Sequence, residues 1–382
     1  MSEQIFGAPQ LTIRQKLWQI QWFFVFMLVV AATVGFVMLY SAGGGNVDPW
    51  AMRHALRCGS GIVLMVGIAL VDTRFWLRYA YIIYAAVLLM LVAVDIFGVT
   101  GMGARRWINV GFVNLQPSEM MKIAMVLALA RYFHGGSIED IRHPAFLIPP
   151  LLIVAAPTAL VLRQPDLGTA LILIIAAAGL FFLAGVRVWK FTLIGVLGLA
   201  SAPIAWQFLH EYQRRRVLTF LDPESDPLGA GYHIIQSKIA FGSGGISGRG
   251  FMQGTQGHLN FLPEMQTDFI FTMLSEEFGL IGGLALLGLY LILLAYGVAI
   301  SLRSRSHFGC LLGMGVTGTF FLYVFINIAM VMGLIPVVGV PLPLISYGGT
   351  AMLTLLFGFG LLMGVWVHRD VMIGRRGAAA DG

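Results

Sequence analysis

Long apolar stretches alternate with short polar breaks along this chain, and one break is far longer than the others. Ten stretches reach or approach the length that crosses about 30 Å of hydrocarbon as helix. They run over 22–41, 55–71, 78–98, 117–133, 145–162, 167–186, 189–209, 269–301, 308–333 and 349–367. The fourth is short and carries charges. The eighth is longer than a span needs, so its first turns are expected to project above the hydrocarbon or to tilt. The pattern predicts an all-α integral membrane protein with ten transmembrane helices in a single polytopic domain, residues 1–382. The long break, 210–267, becomes one large loop between spans seven and eight. Residues 368–382 form a tail.

Composition supports that class. Of 382 residues, 58% are hydrophobic and 11% charged, against about a quarter charged in soluble domains. Basic residues set the orientation. Arg14, Lys16, Arg74, Arg78, Arg131, Arg142, Arg187, Lys190, Arg303, Arg305, Arg369, Arg375 and Arg376 fall on one side. The short loops opposite hold Arg53, Arg57, Arg105, Arg106 and Arg163. The excess predicts that both termini are cytoplasmic and that the 210–267 loop is extracytoplasmic. Arg214, Arg215 and Arg216 do not overturn this, because long loops follow the charge rule poorly. The net charge of +6 is explained by these helix ends. With no separate basic domain, no nucleic acid partner is expected. Arg14 and Lys16 before an apolar run resemble a signal peptide, but a run of about twenty residues reads as an uncleaved first span. Cys58 and Cys310 are predicted at opposite membrane faces and are not expected to pair. No internal repeat is evident, which counts against inverted-repeat transporter folds.

Charge near the bilayer is costly and calls for an explanation. Asp268 sits where the polar loop turns into the eighth span. Glu119 and Lys122, spaced i and i+3, share a face of the fourth span and must turn inward. They read as a structural ion pair, as the wall of a polar cavity, or as both. Asp166 opens the sixth span, where a carboxylate suits the free N–H groups of a helix start. Pro149, Pro150 and Pro157 suggest distorted helix in the fifth span. Asp95 reads as a satisfied carboxylate at a helix end. At least one of Glu276 and Glu277 must face the interior. All these groups fall in the outer half, which suits work on something already in the outer leaflet. Ion-coupled carriers typically place such groups near the midplane.

The outer loops add candidates. Arg105 and Arg106 beside Trp107 suit a phosphate with an aromatic at headgroup level. Residues 232–241 are predicted to form a short amphipathic helix on the surface, with Lys238 on its polar side. The glycines from Gly242 to Gly254 fit neither a dinucleotide fold nor a P-loop, and read as backbone with unusual angles. Residues 333–348 are too apolar for a wet loop and too rich in Pro and Gly for a helix. They read as backbone dipping back into the bundle, with Ser346 and Tyr347 capping span ten and lining a site. There is no His-Glu-x-x-His pair and no nucleophile elbow.

Here the chain resembles a known family. Asn327-x5-Gly-Leu-Ile-Pro-x2-Gly-x-Pro-Leu-Pro-Leu-Ile-Ser-Tyr-Gly-Gly-Thr350 is similar to the signature of the SEDS proteins (shape, elongation, division and sporulation). The likeness covers nearly the whole chain. It includes Arg106-Trp107, Gln116-Pro-Ser-Glu119, Gln164-Pro-Asp-Leu-Gly-Thr169, and Phe261-Leu-Pro-Glu-x2-Thr267-Asp268-Phe269 with Glu276-Glu277-x-Gly279. The loop text around 221–238 looks more like the rod-shape branch than the division branch. Met265-Gln266 departs from the family pattern, where a basic residue or His is usual.

The resemblance implies a ten-span peptidoglycan glycosyltransferase in the bacterial inner membrane. It would polymerise lipid II outside that membrane, beside a class B penicillin-binding protein that crosslinks the strands. It also implies that Asp268 is the essential acidic residue, with Trp107 and the Glu119/Lys122 pair important. The expected chemistry is attack of an acceptor 4-hydroxyl on a donor anomeric carbon, with Asp268 as general base and a polyprenyl diphosphate leaving. Inversion is expected, since one carboxylate has no evident nucleophile partner. No nucleotide is required. Arg106, Lys122, Lys238 and Arg249 are candidates to hold the diphosphate, with a divalent cation, Mg or Mn, as an alternative. Gln164, Asp166, Thr267, Ser346 and Tyr347 complete the expected substrate site. A lipid II flippase and a non-catalytic scaffold are the rival classes.

Overall fold

The computed structural model describes residues 12–101, 104–109, 114–208, 211–225, 230–255 and 265–374. Helices α1 (Ile13–Gln19), α2 (Trp22–Ala42), α3 (Ala51–Ala69) and α4 (Thr73–Phe97) lead to a small antiparallel sheet. Its strands β1 (Val99–Gly101), β2 (Ala104–Asn109) and β3 (Asn114–Leu115) lie in that order. Then follow α5 (Pro117–Gly135), α6 (Ile138–Arg142), α7 (Ile148–Arg163), α8 (Leu167–Leu183) and α9 (Val188–Phe208). The long loop carries α10 (Glu211–Leu221) and α11 (Ala230–Ser243). The chain closes with α12 (Ile270–Leu302), α13 (His307–Val331) and α14 (Gly349–Val367). Each of the ten predicted stretches coincides with one helix. Six helices among the described residues are long and apolar enough to cross a membrane, so this is a multi-pass membrane fold.

Helix α5 occupies the centre, packed against α4, α7, α8, α13 and α14. Met121 and every residue from Ile123 to Ala130 are at most 2% exposed. A helix apolar around its whole circumference is buried on every side, so its Glu119 and Lys122 have no lipid face to choose. Helix α3 packs along α14. There Gly360 lets the chains touch, because a Cβ would stand 2.9 Å from the Met65 carbonyl oxygen.

Three features go beyond or against expectation. The overlong α12 breaks at Gly279 (φ 65°, ψ −160°). The break frees backbone groups, and the Gly-rich loop satisfies them. Leu280 and Ile281 N–H donate to the Gly245 and Ile246 carbonyls at 3.0 and 3.2 Å, while Glu276 and Glu277 carbonyls accept from Arg249 and Gly250 N–H at 3.0 Å each. Non-helical backbone persists at membrane depth only when protein re-satisfies it in this way.

The fifth span is also less distorted than its prolines suggest. Pro149 and Pro150 fall in the first turn of α7, where a missing N–H costs nothing. Pro157 lies inside a continuous helix. The carbonyl it deprives of a partner belongs to Ile153, which accepts from the Tyr84 hydroxyl at 2.9 Å. Third, α11 does not merely lie on a surface. Its Ser237 is fully buried, donating to the Val331 carbonyl at 2.9 Å and meeting the Thr272 hydroxyl at 2.9 Å.

The re-entrant stretch behaves as its composition requires. Val340, Leu342, Leu344 and Ile345 are all buried, and the Tyr290 hydroxyl donates to the Pro343 carbonyl at 2.6 Å. Cys58 and Cys310 are both free thiols.

Candidate active site

Asp268 lies just before α12, half-buried against the re-entrant stretch. A Cβ on Gly339 would be 3.5 Å from its Oδ2, and Gly339 itself has φ 72°. The backbone that carries Asp268 is clamped at successive carbonyls. Gln266 O accepts from Tyr347 N–H at 2.8 Å, Thr267 O from the Ser346 hydroxyl, and Asp268 O from the Asn327 amide at 3.0 Å. The same amide donates to the Val340 carbonyl at 2.7 Å. Ser346 and Tyr347 therefore do not cap α14, as the sequence suggested. The N-cap of α14 is Gly348, with no side-chain cap. Ser346 Oγ instead accepts from Leu342 N–H at 2.8 Å, bracing the re-entrant turn. Tyr347 takes the Arg57 guanidinium over its ring at 4.7 Å.

A second cluster lies deeper. Lys122 Nζ stands 2.6 Å from Glu119 Oε1 and also donates to the Tyr323 hydroxyl, which donates to Glu119 Oε2. All three side chains are buried, and Lys122 Nζ lies 4.3 Å from the Tyr323 ring centre. The i, i+3 spacing made the ion pair legible, but Tyr323 went unseen, since a Tyr in an apolar helix reads as packing. Its one signal was position, one turn before Asn327 on α13.

Asp166 caps α8 as expected. It accepts from Thr169 N–H at 3.1 Å and the Thr169 hydroxyl at 3.0 Å, with Gln116 Nε2 at 3.4 Å. This helix start abuts the re-entrant stretch, because a Cβ on Gly168 would stand 2.7 Å from the Val338 carbonyl oxygen. The Asp166 end of α8 and the wall beside Asp268 are thus neighbours.

The other candidates lie around these two clusters. Arg106 donates to the Gln164 carbonyl at 3.1 Å and to the Pro165 carbonyl, gripping the α7–α8 turn. Gln164 Nε2 donates to the Leu91 carbonyl at 3.0 Å and to Asp95 Oδ1 at 3.1 Å, so Asp95 has the partner it was expected to have. Trp107 sits half-buried on β2, in register with Val99. Arg249 donates to the Thr255 hydroxyl at 2.8 Å, and Thr255 in turn donates to Glu276 Oε1 through its N–H at 2.8 Å. Glu277 accepts from the Ser41 hydroxyl. Both glutamates are buried. Lys238 is exposed on α11, and no described contact joins Lys238 or Arg249 to Asp268. Phe261–Glu264 of the acidic motif and the Arg105 side chain lie outside the described residues.

Among the described residues no group of three or more His, Cys, Asp or Glu side chains is arranged to hold a metal ion. The described site combines the half-buried Asp268 on a braced backbone with the buried Glu119–Lys122–Tyr323 unit.

Residues 21–371 match the family of cell cycle proteins comprising FtsW, RodA and SpoVE. The chain is 46% identical over 352 residues to the peptidoglycan glycosyltransferase MrdB of Escherichia coli (strain K12), covering 91% of this chain and 92% of that one. A chain of a solved peptidoglycan synthase complex, described for its coordination of polymerization and crosslinking, superposes with a TM-score of 0.79 at 35% identity, covering 92% of this chain and 98% of that one. The rod shape determining protein RodA of Thermus thermophilus superposes with a TM-score of 0.69 at 29% identity, covering 92% and 98%.

Proposed function

This chain belongs to the FtsW, RodA and SpoVE family, and we infer that it is a peptidoglycan glycosyltransferase joining lipid II units into glycan strands at the outer face of the bacterial inner membrane, for cell elongation and rod shape. In this reading all ten helices named above as predicted stretches span the bilayer. Both termini are cytoplasmic, and residues 210–267 are extracytoplasmic. The acidic site then faces the leaflet from which lipid II is used.

Asp268 acts as general base. It takes the proton of an acceptor sugar 4-hydroxyl as that oxygen bonds to the donor anomeric carbon. The bond from that carbon to the polyprenyl diphosphate breaks, and the electron pair leaves on the phosphate oxygen. One displacement inverts the anomeric centre. General-base assistance contributes about 10²–10⁴ in rate, and the remainder comes from positioning and from stabilising the leaving group. Thr267, Ser346 and Tyr347 line the acceptor side. Arg106, Trp107, Gln164 and Asp166 shape the wall at the α7–α8 turn. Lys238 and Arg249 supply positive charge from the outer loop, and a divalent cation, Mg or Mn, would be the alternative source of charge at the diphosphate.

The observation that carries the role of Asp268 is the clamp on carbonyls 266–268. Three donors from two other segments fix the backbone that carries one half-buried carboxylate, and a carboxylate beside lipid is expensive for packing alone. A class B penicillin-binding protein is the proposed partner. An apolar groove of about 420 Å³ between α12 and α13 suits one transmembrane helix of that partner, and Leu291, Leu294, Phe321, Phe325, Ile328 and Met332 line it. Lipid II polymerisation by the purified complex tests the assignment. Polymer is expected from the natural sequence and none from Asp268→Ala, and equal polymer from both would refute it.

A further inference from the structure

Asn327 is fully buried on α13, and its amide joins the two walls of the site. One NH₂ group spends both protons on carbonyls, Asp268 at 3.0 Å on one wall and Val340 at 2.7 Å on the other. The second bond holds the amide plane in which the first is made. Tyr323 precedes it by four residues on the same helix face, about 6 Å along the axis. There it bonds both members of the Glu119–Lys122 pair. One face of α13 thereby connects the central helix α5 to the backbone of Asp268.

We propose that Asn327 is a positioning residue for glycosyl transfer. It holds the Asp268 main chain so that the carboxylate meets the acceptor hydroxyl. Tyr323 fastens the Glu119–Lys122 pair to the same helix, and the pair serves the reaction through α13 rather than by gripping the diphosphate. The inference rests on Asp268 being the general base.

The geometry separates positioning from direct contact. Lys122 is 2% exposed, and its ammonium already donates to Glu119 and to Tyr323. Turning it toward a phosphate would leave the Glu119 carboxylate buried without its cation, a strongly unfavourable state. The unit is satisfied within itself and has little reason to open. Asn327, for its part, bonds the carbonyl of Asp268 and not its carboxylate. It therefore acts on where that carboxylate stands, and misplacing a reacting group by about 1 Å can cost about 10²-fold in rate.

The test is steady-state polymerisation of lipid II by the full chain with its transpeptidase partner. Five forms are compared with the natural sequence: Asn327→Leu, Asn327→Thr, Tyr323→Phe, the pair Glu119→Gln with Lys122→Met, and Asp268→Asn. Asn327→Leu is expected to lower kcat by about 10²-fold while KM stays within about twofold. Asn327→Thr keeps one hydroxyl donor and should fall between. If the Leu form does not fold, the Thr form carries the test. Tyr323→Phe and the neutral pair should also lose kcat with KM held. Unchanged kcat at Asn327, or a KM raised about tenfold by the neutral pair with kcat kept, overturns the proposal. If Asp268→Asn is inactive while the Asn327 forms remain active, positioning alone is wrong. If Asp268→Asn polymerises normally, the general-base reading falls and takes this inference with it.

Discussion

Gly248 and Gly279 meet backbone to backbone. A Cβ on Gly279 would stand 2.3 Å from Gly248 N, and a Cβ on Gly248 would stand 2.1 Å from the Glu277 carbonyl oxygen. Both have positive φ, 80° at Gly248 and 65° at Gly279. The contact lets the outer loop supply the hydrogen bonds that broken α12 lacks. Gly279 at ψ −160° occupies a region essentially reserved for glycine. Gly279→Ala should therefore cost about 1–3 kcal/mol in backbone strain alone, with the steric clash in addition. Thermal unfolding of the purified variant in detergent should show a clear fall in Tm. An unchanged Tm would mean the break is not held as described.

Ser346→Ala removes one donor and one acceptor at once. The Thr267 carbonyl loses its hydroxyl and Leu342 N–H loses Oγ. Leaving a buried polar group unpaired costs about 1–3 kcal/mol. The variant should be less stable and slower, since the Asp268 backbone loosens. Activity and Tm measured on one preparation check both. Full activity would show that the clamp at Thr267 is dispensable.

Arg106→Lys should not substitute for Arg106. The guanidinium reaches the Gln164 and Pro165 carbonyls from two of its nitrogens, and a Lys ammonium lacks that planar fork. The expected result is reduced polymerisation close to that of Arg106→Ala. A Lys form with natural activity would point to charge alone, as at a simple phosphate contact.

Phe321→Ala with Phe325→Ala should weaken the transpeptidase complex. Both rings are exposed and stack with their centres 5.7 Å apart beside the groove. Truncating aromatic anchors commonly costs more than about 1 kcal/mol each. Co-purification yield in detergent is the readout, and undiminished yield would move the partner elsewhere.

The helices were legible because apolar runs of this length have few other uses, and α5 shows why its charges had to turn inward. Asp268 stood out in the sequence for a related reason: a carboxylate beside a long apolar run is conspicuous. The break in α12 was not, because Phe278 and Leu280 keep the apolar run intact across Gly279. Only the excess length hinted at it. The partner of that break, the loop from Gly244 to Gly250, was visible as unusual backbone but not as a dock, since the contact is between segments distant in sequence. Arg106 looked like a phosphate ligand, and the structure also places two of its nitrogens on the Gln164 and Pro165 carbonyls, which no local pattern points to. Tyr323 was missed because hydrophobicity hides a hydroxyl.

The most direct test of the central claim pairs two measurements on Asp268→Asn, which keeps shape and removes the base. Lipid II binding and polymerisation rate are read on the same purified complex. The account predicts near-natural binding with polymerisation lowered about 10²–10⁴-fold. Polymerisation at the natural rate, with binding intact, would contradict it.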